Sequence, residues 1–178
     1  MLDSKGNAKI CDFGLSCKLE NDNKIKSICG GQLSQAPEML QGFYDHSVDY
    51  WSLGIAMFFM LTGTYPFYEN KAINWTVQMS ILNANLPNMN EKRKEINSDY
   101  PNISENACDF VAKLLVKDPT QRLGSRTNSQ DIKSHPFYDK IDWEQLENGE
   151  IKPPLQPDVL NYVFRKDAFF YYKFFNYN

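Results

Sequence analysis

HSVDYWSLGIAMFFMLT, residues 46–62, is the stretch whose reading decides the fold. Val48, Trp51, Leu53, Ile55, Met57, Phe58, Met60 and Leu61 put apolar side chains almost all round a helix. A helix of that kind belongs in the middle of a domain. Asp45 or Ser47 can cap its start, and Gly63 followed by Pro66 ends it. The longest apolar run within it, Tyr50 to Leu61, has 12 residues. That is well short of the roughly 20 needed to cross a bilayer, so the stretch reads as a core helix rather than a transmembrane segment.

On its C-terminal side, Ile73, Val77, Ile81 and Leu82 form one stripe of a helix over 70–84, with Trp75 off the stripe. Residues 86–99 are polar and charged and read as an exposed loop. Ser104 caps a further helix, in which Ala107, Cys108, Val111, Leu114 and Leu115 share a 3.6-residue face. A short helix near 129–135 stops at Pro136, and Pro153, Pro154 and Pro157 make the following segment extended. The last 17 residues hold nine aromatics. On the N-terminal side, residues 15–37 read as a long loop. Residues 2–10 read as a small β-hairpin turning at Lys5-Gly6-Asn7. The predicted fold is mainly α with that one hairpin at its start.

A chain of 178 residues corresponds to about 1.2 domains and can bury roughly 70% of its unfolded surface. The net charge of −3 argues against a dedicated nucleic-acid binder. No two of Cys11, Cys17, Cys29 and Cys108 have Cys-x-x-Cys spacing, and only His46 and His135 could join them. That pattern argues against zinc and for reduced, intracellular thiols. MLDSKGNAKI at the start has no apolar core, so no secretory leader is expected and the expected location is intracellular and cytoplasmic.

Asp12-Phe13-Gly14 follows the predicted hairpin strand. A carboxylate at a strand end, freed by a following glycine, can supply a ligand to a metal ion. Ala36-Pro37-Glu38 comes 24 residues later, Asp49-Tyr50-Trp51-Ser52-Leu53-Gly54 opens the central helix, and Asp118-Pro119 with Arg122-Leu123-Gly124 follows the Ser104 helix. In this order and spacing the set resembles the C-terminal lobe of a eukaryotic protein kinase from its DFG motif onward. Three further stretches resemble the AGC group of Ser/Thr kinases, the relatives of protein kinases A, C and Akt. They are Lys26-Ser27-Ile28-Cys29-Gly30, Asp118 to Gly124, and the run His135-Pro136-Phe137-Tyr138, Ile141-Asp142-Trp143 and Pro153-Pro154-Leu155-Gln156-Pro157. The resemblance covers roughly residues 1–160.

The resemblance implies an incomplete kinase C-lobe over 1–138 and an AGC-type C-terminal extension over 139–178, ending in the aromatic run. It implies a complete domain that uses ATP and magnesium to phosphorylate Ser or Thr of protein substrates. Asp12 would hold magnesium, with Cys11 on the floor of the ATP pocket and Phe13 and Gly14 supporting the motif. Glu38 and Arg122 would form a buried ion pair stapling the end of the activation segment to the late helices. Asp49 would start the central helix and hydrogen-bond the catalytic-loop backbone, with Trp51 beside it. Ser27 would be the regulatory phosphosite, and Gly30, Gly31, Gln32 and Leu33 would contact the peptide substrate.

Several features depart from the family pattern. The family's glycine-rich loop, strand Lys and its Glu partner, catalytic-loop Asp and second metal-binding Asn are missing from this sequence. The chain alone is therefore expected neither to transfer phosphate nor to bind ATP or magnesium tightly. The group's C-G-T-P-E-Y-x-A-P-E reads here as Cys29 to Glu38 with Gly31 in place of the Thr. That substitution points to a divergent kinase or, as the alternative, a non-catalytic pseudokinase-like binding module whose partner would be another kinase. Residues 87–98 have no counterpart in the compact pattern, and Glu91-Lys92-Arg93-Lys94-Glu95 reads as a solvated loop in preference to a docking patch. Tyr172 to Tyr177 faintly resembles the group's hydrophobic motif, with Tyr172 and Asn176 replacing its first Phe and its phosphosite. With the preceding helix and loop not in the sequence, the face around Asp49 and Trp51 is expected to be uncovered and the chain to be marginally stable.

Overall fold

The computed structural model describes residues 1–19, 24–68, 77–126 and 130–154. Its elements are almost all helical: α1 (Pro37–Gln41), α2 (Ser47–Thr62), α3 (Val77–Asn83), α4 (Met89–Ile96), α5 (Glu105–Leu114), α6 (Gln130–Lys133) and α7 (Trp143–Glu147). Two short 3-10 turns, Gln32–Ser34 and Pro136–Tyr138, join them. The described residues divide into two compact units, one of Met1–Gly14 with 142–154, the other within Leu15–Ile141. Residues 70–76 of the predicted α3 region, the predicted extension beyond Pro154 and the aromatic end lie outside the described residues.

The larger unit is built on α2. The carboxylate of Asp45 accepts the Ser47 N–H at 2.9 Å and starts the helix. Gly63 ends it at φ 80°, its N–H donating to Phe59 O at 2.8 Å, a left-handed position that suits glycine. α5 crosses α2 at Gly54, where an added Cβ would lie 2.9 Å from both Leu114 Cβ and Leu115 Cδ2. The small residue thus sets how closely the two helices approach. Ser104 caps α5 through the Ala107 N–H at 3.3 Å. The buried side chains of the two helices, Trp51, Ile55, Phe58, Phe110, Val111 and Leu114, are the centre of the core. Below α5, Phe110 stacks on Phe137 at 5.1 Å, and His135 caps the following turn through the Phe137 N–H at 3.1 Å. Because His135 Nδ1 accepts that bond, its Nε2 carries the proton, which it donates to Asp109 at 2.9 Å.

The structure corrects the sequence reading in four places. The hairpin expected over 2–10 is reduced to a single antiparallel bridge between Leu2 and Ala8, so Asp12 follows irregular chain rather than a strand. There the Asp3 carboxylate takes the Lys5 and Asn7 N–H groups, each at 2.9 Å, and closes the turn, while backbone bonds from Asp3 N to Asn7 O and from Lys9 N to Met1 O, at 2.9 and 2.8 Å, flank the bridge. The loop expected over 86–99, including Glu91–Glu95, contains α4. Asn88 caps it through the Asn90 and Glu91 N–H groups at 2.9 and 3.2 Å, and Met89 is buried. Arg93 then donates to Leu61 O at 2.6 Å, capping α2 from outside. Trp51, expected to be uncovered, is fully buried: it stacks on Phe67 at 5.6 Å and lies under the Arg122 guanidinium at 5.2 Å. Finally, α2 is not enclosed all round. Asp49, Leu53, Ala56 and Met60 form one exposed stripe along it, and Met60 is 72% exposed.

Candidate functional site

Arg122 reaches α1 from the turn after α5. Its Nη1 and Nη2 meet Glu38 Oε1 and Oε2 at 2.5 and 2.9 Å. Nη1 also donates to Ser47 O at 2.9 Å, Nη2 to Lys117 O at 3.3 Å and Nε to Val116 O at 3.0 Å. All five guanidinium N–H groups therefore have acceptors. Arg122 is 2% exposed and Glu38 5%. At that depth a pair is tolerated only when its remaining donors and lone pairs are satisfied, and here Ser47 Oγ adds a third contact to Glu38 at 3.4 Å. The pair joins the end of the long loop, the start of α2 and the segment after α5 in one network. Lys117, whose carbonyl serves that network, donates its ammonium to Leu82 O and Ala84 O at 2.9 and 2.6 Å, closing the end of α3. Burial pushes its pKa down.

The loop leading to α1 carries the residues read as phosphosite and substrate contacts. Ser27 is exposed, and so are Gly30, Gly31 and Gln32, while Leu33 is half-buried. Gly31 opens the Gln32–Ser34 turn, with the Ser34 N–H donating to its carbonyl at 3.0 Å. Ser52 Oγ on α2 donates to Ser34 O at 3.0 Å and ties the turn to the core. Gly31 has φ −68°, and a Cβ there would meet only Ser34 Oγ, at 3.9 Å. The backbone at this position therefore has no need of glycine. Gly30 differs, with φ 82°.

Cys11, Asp12, Phe13 and Gly14 belong to the smaller unit, and Ser27, Glu38, Asp49, Trp51 and Arg122 to the larger. Asp12 is exposed and takes φ 65°, the one non-glycine residue with positive φ among those described. Such a backbone position is uncommon outside glycine, and Asp is among the residues that tolerate it best. Its Oδ1 accepts the Gly14 N–H at 3.4 Å. Among the described residues no three His, Cys, Asp or Glu side chains gather to hold a metal. Asp49 is exposed in the first turn of α2. Sequence reasoning missed Tyr44 and Gln35, which hold the Ser27 loop through hydrogen bonds to its carbonyls. An aromatic and an amide in a loop carry no pattern that marks them.

Fastening the end of a long loop to the late helices by a buried, fully hydrogen-bonded Glu–Arg pair is an arrangement of the helical half of protein kinases. Residues 1–138 match the protein kinase domain family, and the chain belongs to it. It is 39% identical over 166 residues to the serine/threonine-protein kinase gad8 of Schizosaccharomyces pombe, covering 89% of this chain and 26% of that protein. It is 38% identical over 164 residues to the serine/threonine-protein kinase Sgk1 of Homo sapiens, covering 89% and 34%. It is 34% identical over 165 residues to the serine/threonine-protein kinase YPK1 of Saccharomyces cerevisiae, covering 90% and 22%. These relatives are AGC-group kinases, and the chain spans only about a fifth to a third of their length. No helix among the described residues is long and apolar enough to cross a membrane.

Proposed function

We propose that this chain is part of a protein serine/threonine kinase that moves the γ-phosphate of ATP to Ser or Thr of protein substrates, and that it is inactive on its own. The observation that carries the reading is Asp12: an exposed carboxylate held at φ 65° and followed by Phe13-Gly14, in a chain whose relatives are serine/threonine kinases. In the complete domain Asp12 would hold one magnesium ion, which neutralises charge developing on the transferred phosphate. Ser27 would take the regulatory phosphate, and Gly30 to Leu33 would face the peptide. Glu38 and Arg122 would keep that loop end fixed against α2, and the protein would work in the cytoplasm. The exposed α2 stripe supports the reading of the chain as one part of a larger domain, since Leu53 and Met60 are 40% and 72% exposed on a helix whose opposite face forms the core. Gly31 is the feature that would suit a non-catalytic module, but its ordinary φ leaves room for the missing Thr side chain, and the relatives favour a catalytic parent.

The test has two arms. An antibody against residues 87–98 should detect, in the cells that make the protein, a product well above 20.7 kDa. The purified chain with Mg-ATP and a Ser/Thr peptide should transfer no phosphate beyond a mock purification. Transfer by the chain alone, lost in Asp12→Asn, would overturn the claim that it is inactive by itself.

A further inference from the structure

The loop around Ser27 is held by two buried side chains. Tyr44 and Ile25 pair through their backbones in both directions, at 2.8 and 3.1 Å. The Tyr44 hydroxyl donates to Ser27 O at 2.6 Å and lies 3.6 Å from Cys29 Sγ. Gln35 Nε2 donates to Gly30 O at 3.1 Å and Cys29 O at 3.5 Å. Flipping that amide would aim Oε1 at two carbonyl oxygens, so its partners fix its orientation. Gln35 Oε1 itself is buried without a partner among the described residues. Three carbonyls in a row of four, those of Ser27, Cys29 and Gly30, are thus bonded by side chains from beyond the loop. Ile25 and Cys29 pack against the core as well. The Ser27 side chain stays exposed, and the Lys26 ammonium sits over the Phe43 ring at 5.2 Å.

Resting on the reading of Ser27 as the phosphosite and Gly30–Leu33 as the peptide-facing turn, we propose that Tyr44 and Gln35 are positioning residues that fix residues 25–30 and, through them, the peptide-facing turn. The turn from Gly31 to Ser34 inherits that placement and is closed on its far side by Ser52.

The test is hydrogen exchange on the unphosphorylated chain, read by mass spectrometry for wild type, Tyr44→Phe, Gln35→Met and Ser27→Ala. Residues 24–31 should be protected in the wild type. Tyr44→Phe should speed their exchange about fivefold, the equivalent of one hydrogen bond worth about 1 kcal/mol. Gln35→Met should raise exchange at 29–31, and Ser27→Ala should change nothing. Peptides from α5 should exchange at the wild-type rate in all four proteins, which a merely structural role for Tyr44 would not allow. The proposal is overturned if 24–31 is unprotected in the wild type, if Ser27→Ala matches Tyr44→Phe, or if exchange rises through α2 and α5 together. Should Tyr44→Phe fail to fold, Gln35→Met decides: a rise confined to 29–31 supports the proposal, and no rise overturns it. Peptide KM in the longer product separates the proposal from the reading it rests on. A freed loop with an unchanged KM overturns the peptide-facing reading and leaves the clamp standing.

Discussion

Removing Glu38 should be among the most damaging single changes to the larger unit. Glu38→Ala leaves the Arg122 guanidinium 2% exposed with two charged hydrogen bonds gone. Breaking a buried pair in this way costs about 3–5 kcal/mol, because the remaining charge is uncompensated. Against a whole-domain stability of about 5–15 kcal/mol, that leaves a protein close to half-unfolded at the lower end. Arg122→Met should cost a similar amount: it strands the Glu38 carboxylate and also removes the cation lying 5.2 Å over Trp51. The double change Glu38→Ala/Arg122→Met should cost clearly less than the sum of the two, since no uncompensated charge is then left buried. The assay is urea unfolding followed by tryptophan fluorescence, which Trp51 reports from beside the pair. With an m-value of about 2 kcal/mol/M, each single change should lower the midpoint by about 2 M. Single changes costing under about 1 kcal/mol would place the pair in the range of exposed salt bridges. Fully additive costs would mean that the two groups do not act as a pair. Either result would refute the reasoning.

The two loop glycines should behave oppositely. Gly30→Ala forces a side chain into φ 82° and should lower thermal stability by about 1–2 kcal/mol, whereas Gly31→Ala should raise it by about 0.4–1 kcal/mol; melting curves for both check this. The Asp109 carboxyl is held below its ordinary 3.8, chiefly by the hydrogen bond from Lys113 and also by that from His135. Its contribution is therefore present above pH about 4 and lost as pH falls through the lower folded value, so melting temperatures of wild type and Asp109→Asn should differ at pH 6 and converge toward pH 2. Leu53→Glu and Met60→Glu should alter the stability of this chain by under about 0.5 kcal/mol, yet sharply reduce the folded yield of a longer product that covers the same stripe. Equal tolerance in both contexts counts against the stripe being a covered face.

α2 and α5 were legible because each carries a continuous apolar face and an explicit stop or cap, Gly63 in one case and Ser104 in the other. Glu38 and Arg122 stood out only because the surrounding motifs matched a known family; spacing alone would not have joined residues 84 apart. α4 escaped because a single buried Met89 gives no periodic signal, and its helix rests on the Asn88 cap and the reach of Arg93 to α2. The hairpin was read too long because an isolated two-stranded ribbon is marginal, and its pairing goes no further than the Leu2–Ala8 bridge with its flanking Met1–Lys9 and Asp3–Asn7 backbone bonds. Trp51 was misplaced because its cover comes from Phe67 and Arg122, residues distant in sequence that close over it only in the fold. Tyr44 and Gln35 act through backbone carbonyls, which no side-chain motif records.

The measurement that tests the account most directly is phosphate transfer from Mg-ATP to a Ser/Thr peptide by the native product that carries residues 1–138, isolated from its own cells and compared with its Asp12→Asn form. The account predicts transfer by the wild-type product and its loss, by a hundredfold or more (an expectation on the order of removing one metal ligand's charge stabilisation), in Asp12→Asn, with the peptide still bound. Equal transfer by both forms, or none by the wild type, would contradict it.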